Sequence, residues 1–127
     1  MTAPSHSWDL CILIRRPPYG SIQAAEGVRH LVGAVSQGLR CVALLVGEGV
    51  WLARAAQDPG ESGWLSMAKA LQDALAPVGH EPLLVLADLE ALTASGLEVG
   101  DLIPGVAVAD DKAMSEALVQ SHHVLIF

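Results

Sequence analysis

Of the side chains that could do chemistry, the two cysteines, Cys11 and Cys41, come first. A reactive thiol needs exposure and a positive neighbour, ideally a helix N-terminus. Cys11 lies in the middle of the apolar run Trp8 to Arg15. Cys41 follows Arg40 at the start of a second run, Arg40 to Val46. Both positions suit a reduced, buried thiol acting as a small hydrophobe. Two cysteines are too few for a disulfide framework, and no Cys-x-x-Cys or Cys/His spacing suggests zinc.

The segment after the first run carries Arg15, Arg16, Tyr19, Gly20 and Ser21, a set able to hold a small anion at a helix start. One glycine there is too few for a dinucleotide fingerprint, and no Walker-type Lys-Ser/Thr follows. Ordering of a loop, or pairing with a partner subunit, is the competing role for the arginines. Asp110 and Asp111 are consecutive, and the first run exits into arginines rather than acids, so no cluster of carboxylates converges on a cation. A helix cap accounts for these aspartates. His122 and His123 are neighbours on a strand, whose side chains are expected to point to opposite faces, which excludes a shared metal ion. No catalytic residue, metal site or cofactor is assigned.

The elements that position these residues follow from hydrophobic periodicity. Trp8–Arg15, Arg40–Val46 and Glu81–Ala87 are continuous apolar runs of strand length, as in strands covered on both faces. Val106–Ala109 and His122–Phe127 complete five strands. Between them, apolar residues recur at helical spacing from Ile22 to Leu39, with Ser21 as N-cap and Gly38 as stop. Val50–Ala56 reads as a short helical piece, and Gln57–Gly63 as a loop. Trp64–Val78 is an amphipathic helix, Asp88–Ser95 a short helix stopped at Gly96, and Asp110 or Asp111 caps a helix to about Gln120. Strand and helix alternate throughout, which predicts an α/β fold with a largely parallel sheet and helices on each side. Ligands in such sheets sit beyond the carboxyl ends of the strands. Those ends hold Arg15 to Ser21, then Gly47, Glu48 and Gly49, then Asp88, then Asp110 and Asp111.

The chain of 127 residues makes one domain, with residues 1–7 expected to fray. Apolar types form 52% and charged residues 17%, which excludes a disordered tail. Seven Lys/Arg against fourteen Asp/Glu leave a formal charge of −7. Such a surface repels phosphate backbones and argues against nucleic acid and anionic membranes as partners. The apolar runs fall far short of the roughly 20 residues that a membrane span needs. No secretory signal opens the chain, so a cytoplasmic location is expected.

The stretch Ile14-Arg15-Arg16-Pro17-Pro18-Tyr19-Gly20-Ser21, followed by Ala25-Glu26-Gly27, resembles the DsrE/DsrF-like family, nearest to its TusC/DsrF type. Val46-Gly47-Glu48-Gly49-Val50 is similar to the family's second-strand exit, and the final strand ends in Phe127. The resemblance implies a three-layer α/β fold with about five strands and a role in sulfur trafficking. It also implies assembly with homologous DsrE-, DsrF- or DsrH-like subunits and delivery to a small sulfur-carrier protein. In that family the DsrE/TusD-type subunit bears a persulfide-forming cysteine near the exit of a middle strand. The corresponding stretch here, Leu84-Val85-Leu86-Ala87-Asp88-Leu89, has none. Neither Ala87 nor Asp88 can carry sulfane sulfur. The expectation is a non-catalytic subunit that completes a partner's site.

Two alternatives stand beside it. One is a standalone homo-oligomer that binds a small anion or metabolite over Arg15, Arg16, Tyr19, Gly20, Ser21 and Glu48. The other is a sulfurtransferase using Cys41 or Cys11. A surplus of apolar residues over what a small core needs points to an interface, and Trp51, on a very short helix after the Gly47-Glu48-Gly49 turn, is the expected contact. Trp64 is assigned to the core.

Overall fold

A computed structural model of the chain describes residues 7–19, 21–55, 67–75 and 83–127. Five strands, β1 (Trp8–Ile14), β2 (Cys41–Leu45), β3 (Leu83–Asp88), β4 (Val106–Ala109) and β5 (Ser121–Ile126), form one sheet in the order β4-β3-β2-β1-β5. Every pairing is parallel. The expected α/β class and five-stranded parallel sheet are therefore what the chain adopts.

The helices are α1 (Gln23–Ser36), α2 (Met67–Leu75), α3 (Leu89–Ser95) and α4 (Asp111–Val119). Residues of α1, α2 and α3 share one core with Ile12, Ile14, Ala43, Leu45, Val85 and Ala87. The smaller core on the other face joins Cys11, Val42, Leu44 and Leu86 to Met114 and Ala117 of α4. The sheet lies between two helical layers because its central strand, β2, is buried at every residue. A strand apolar on both sides satisfies its backbone in the ladder and needs cover on both faces.

Several boundaries shift. The helical piece placed at Val50–Ala56 starts at the glycines, as a 3₁₀ helix over Gly47–Ala53. Ser21 is not the N-cap of α1. The chain is already helical at Ile22 (φ −86°, ψ −13°), which takes the cap position without any side-chain hydrogen bond and leaves Ser21 one residue outside. The carboxylates of Asp88 and Asp110 do cap, accepting from the backbone N–H groups of Ala91 and Ala113 at 3.2 and 2.9 Å. Residues 1–6, Gly20, the Gln57–Gly63 segment, Trp64, and the outer ends of the Trp64–Val78 and Glu81–Ala87 stretches lie outside the described residues. Among the described residues, no helix is long and apolar enough to cross a membrane.

Candidate functional site

The carboxyl ends of β1 and β2 are held together by backbone. Val46 N–H donates to the Ile14 carbonyl at 3.1 Å, and Gly49 N–H to the Val46 carbonyl at 2.8 Å, which folds the 3₁₀ helix back over the exit of β1. A Cβ on Gly49 would lie 2.1 Å from the Ile14 oxygen, and one on Gly47 3.9 Å from the Arg15 oxygen. Only a residue without a side chain permits the first approach. The approach brings the Gly47-Glu48-Gly49 turn against Arg15. Gly27 does the same from the other side: its missing Cβ would stand 2.9 Å from Ile14 Cδ1, so α1 sits close on β1.

Around this junction Arg15, Arg16 and Glu48 are exposed. No carboxylate among the described residues forms an ion pair with either arginine. Tyr19 is half-buried against the larger core, and its hydroxyl accepts from Met67 N–H at 3.2 Å, at the start of the described part of α2. Ser21 Oγ is buried and has no hydrogen-bond partner among the described residues. A buried hydroxyl left unpaired costs about 1–3 kcal/mol, so this oxygen is a place where a further hydrogen-bond partner would be favoured. Gly20, the remaining member of the set, lies outside the described residues.

The thiols are elsewhere. Cys11 and Cys41 are both fully buried, one in each core, and unbridged. Burial pushes each up to about 11, with the Ser121 hydroxyl opposing the shift at Cys11 and the Asp9 charge adding to it at Cys41. Arg40, the cation next to Cys41 in sequence, is turned away to Asp9. The Asp9 carboxylate accepts from Arg40 N–H at 2.8 Å and from its guanidinium at 3.5 Å. That pair holds the Asp9 carboxyl below its usual range. A low-pKa thiolate requires the opposite setting, a cation at the sulfur and access to solvent.

At the exit of β3 stands Asp88, whose carboxylate is committed to capping α3. Trp51 is half-buried on the 3₁₀ helix, with the Arg54 guanidinium 6.0 Å from its ring centroid. The His122 and His123 rings do not diverge as expected. They meet edge to face with centroids 4.3 Å apart, because both lie on an exposed edge strand with room to lean. Among the described residues, no group of three or more His, Cys, Asp or Glu side chains could hold a metal. Sequence reading missed the Tyr19–Met67 and Asp9–Arg40 contacts; each joins residues far apart in the chain, which spacing does not reveal.

Comparison with models of protein families finds no match, and none is found among curated proteins. Solved structures do match, and they define the class: an α/β fold with a parallel sheet, shared over nearly the whole length of the chain. The crystal structure of the ychN protein from E. coli is similar with a TM-score of 0.82 and 20% identity, over 94% of this chain and 99% of that one. MTH1491 from Methanobacterium thermoautotrophicum, described as a protein of unknown function, aligns with a TM-score of 0.65 and 13% identity, over 95% and 100%. At these identities the likeness is one of fold.

Proposed function

We propose that this chain is a cytoplasmic, partner-completing subunit of a DsrEFH/TusBCD-like sulfur-relay assembly and does not itself carry sulfur. The observation behind this reading is the fate of the thiols. Cys11 and Cys41 are sealed in the two cores, and the strand exit where the resembled family loads sulfur holds Asp88, already engaged as a helix cap. The short motifs at Arg15–Ser21, Ala25–Gly27 and Val46–Val50 support the family resemblance, and the three-layer fold agrees with it. The likeness of fold to the ychN protein is compatible with the reading but does not separate the subunit types.

The test is co-expression with a DsrE-type homologue that has its cysteine, followed by purification and intact-mass measurement of each subunit. The expected result is a stable hetero-complex in which only the homologue gains sulfane sulfur. Two chains that elute separately at micromolar concentration would overturn it.

The unpaired Ser21 hydroxyl, a few residues on from the exposed Arg15 and Arg16 in sequence, favours one second reading, a small-anion site at the β1 exit that also takes in Tyr19, Gly20 and Glu48. It predicts saturable thermal stabilisation by sulfate or phosphate that is lost in Arg16→Ala. An unchanged melting curve across the series would retire it.

A further inference from the structure

The peptide unit that joins Ile14 to Arg15 is held at both poles. Its carbonyl accepts from Val46 N–H at 3.1 Å, on the β2 side, and its N–H donates to the Phe127 carbonyl at 2.9 Å, on the β5 side. Phe127 N–H in turn donates to the Leu13 carbonyl at 2.8 Å. The ladder between β1 and β5 therefore runs one residue past each strand, and its last bond is the one that fixes Arg15. A planar peptide bonded on both sides cannot turn about the chain, so the direction in which the chain leaves β1 is set there.

This bond also limits what kind of site the exit can be. With its N–H given to Phe127, Arg15 has only its exposed guanidinium to offer an anion, as a partner to that of Arg16. A guanidinium is a planar fork that matches two oxygens of one oxyanion, and its grip depends on where the main chain places it.

The Phe127 carbonyl is kept in place by the ring on the same residue. Phe127 is half-buried and packs against the larger core. The Cβ that Gly27 lacks would come within 3.3 Å of Phe127 Cδ2 and 2.9 Å of Ile14 Cδ1, so the ring and Ile14 share the space this glycine leaves open. His30, exposed on α1, tilts its ring against that of Phe127 at 41°, with centroids 5.1 Å apart. His30 is itself oriented, since its Nδ1–H donates to the Glu26 carbonyl at 2.7 Å. The seat is thus built by Glu26, Gly27 and His30, which gives the Ala25-Glu26-Gly27 stretch a part in the fold.

We propose that Phe127 is a positioning residue of an oxyanion site at the β1 exit. With its ring seated between Gly27 and His30, its carbonyl holds Arg15 N–H, and the Arg15 guanidinium is presented in a fixed place. Without the ring, the last bond of the ladder opens as a fraying strand end does, and Arg15 swings with the exit. The proposal rests on the small-anion reading of this exit. To that reading it adds the ligand class, an oxyanion such as sulfate or phosphate rather than a halide, and a residue on a different strand through which the grip is set.

Sulfate titration of the full-length protein by nuclear magnetic resonance tests it, with chloride at matched ionic strength as the reference. The same samples give the exchange rate of the Arg15 amide. The proteins are wild type, Phe127→Ala, Phe127→Tyr, His30→Ala and, as a stability control in the opposite core, Met114→Ala. The expected wild type saturates with sulfate and not with chloride. Phe127→Ala should bind on the order of tenfold more weakly, the loss of one charge-assisted hydrogen bond, with faster Arg15 exchange. Phe127→Tyr should restore both, and Met114→Ala should lose stability but not affinity. Phe127→Ala that binds as wild type with Arg15 still protected overturns the proposal and leaves the small-anion reading standing. An equal loss of affinity in Met114→Ala overturns it too. A wild type that responds to sulfate no differently from chloride removes the small-anion reading and this proposal together. If Phe127→Ala does not fold, His30→Ala decides alone, and binding as tight as wild type there overturns the proposal.

Discussion

Gly49 and Ile14 touch through backbone: the Cβ that Gly49 lacks would stand 2.1 Å from the Ile14 carbonyl oxygen. No side chain can rotate out of such a clash, because Cβ position is fixed by the main chain. The contact seats the 3₁₀ helix on the exit of β1 and so fixes where Glu48 lies relative to Arg15. Gly49→Ala is predicted to lower stability by on the order of 3 kcal/mol, through forced backbone shifts in a packed region. Gly33, in the middle of α1, has open space where its Cβ would go. Gly33→Ala should raise stability by about 0.5–1 kcal/mol, the helix-propensity difference. Urea midpoints of the two variants, moving in opposite directions, check both.

Asp88 and Asp110 each accept from a backbone N–H three residues on, in the first turns of α3 and α4. Replacing either by alanine leaves those donors unpaired and should cost about 1 kcal/mol. Asn at either position should retain most of that. Thermal melts of the four single variants give the comparison. An Asp88→Ala protein as stable as wild type would contradict the capping role assigned to this strand exit.

Tyr19→Phe removes the acceptor of Met67 N–H while keeping the ring in the core. A loss of about 1 kcal/mol is expected from the hydrogen bond alone. If the small-anion reading of the β1 exit holds, Arg16→Ala should abolish stabilisation by sulfate without a comparable loss in basal stability, because Arg16 is exposed. Differential scanning calorimetry with and without sulfate separates the two effects.

Both thiols titrate at about 11 in the fold, against an ordinary value near 9.0, because burial opposes the thiolate. Below about pH 9 each thiol is protonated in folded and unfolded chains alike. Between about 9 and about 11 the unfolded chain binds fewer protons, so stability falls as pH rises through that window. Cys11→Ala and Cys41→Ala should each flatten part of that alkaline decline. Neither thiol should react with an aromatic disulfide reagent at neutral pH until the chain is unfolded.

The strands were legible in the sequence because a parallel sheet buried on both faces demands continuous apolar runs. Cys41–Leu45, buried at every residue, is such a run; Val106–Ala109, at the sheet edge with Ala107 exposed, is apolar throughout all the same. The stop at Gly96 and a cap at Asp110 or Asp111 were legible for a similar reason, since each acts within one helical turn of its own position; the capping role of Asp88 was not read. The site was legible only as a set of residues at strand exits. Ser21 reads as a cap from its type, yet its role is decided by where Ile22 becomes helical, one residue early. Tyr19 reads as a ligand group, and its hydroxyl also meets Met67, 48 residues further along the chain. Arg40 reads only as the residue before Cys41, and its reach to Asp9 on the neighbouring strand is not legible from spacing. Contacts between distant segments depend on packing that no local spacing encodes.

Loading with sulfur tests the central claim most directly. The native protein is incubated at neutral pH with a polysulfide donor, desalted, and weighed intact by mass spectrometry beside Cys11→Ser and Cys41→Ser. The mass is predicted to stay that of the unmodified chain in all three proteins. A gain of about 32 Da, one sulfur atom per persulfide, that a reductant reverses and one of the two serine variants abolishes, would contradict the account.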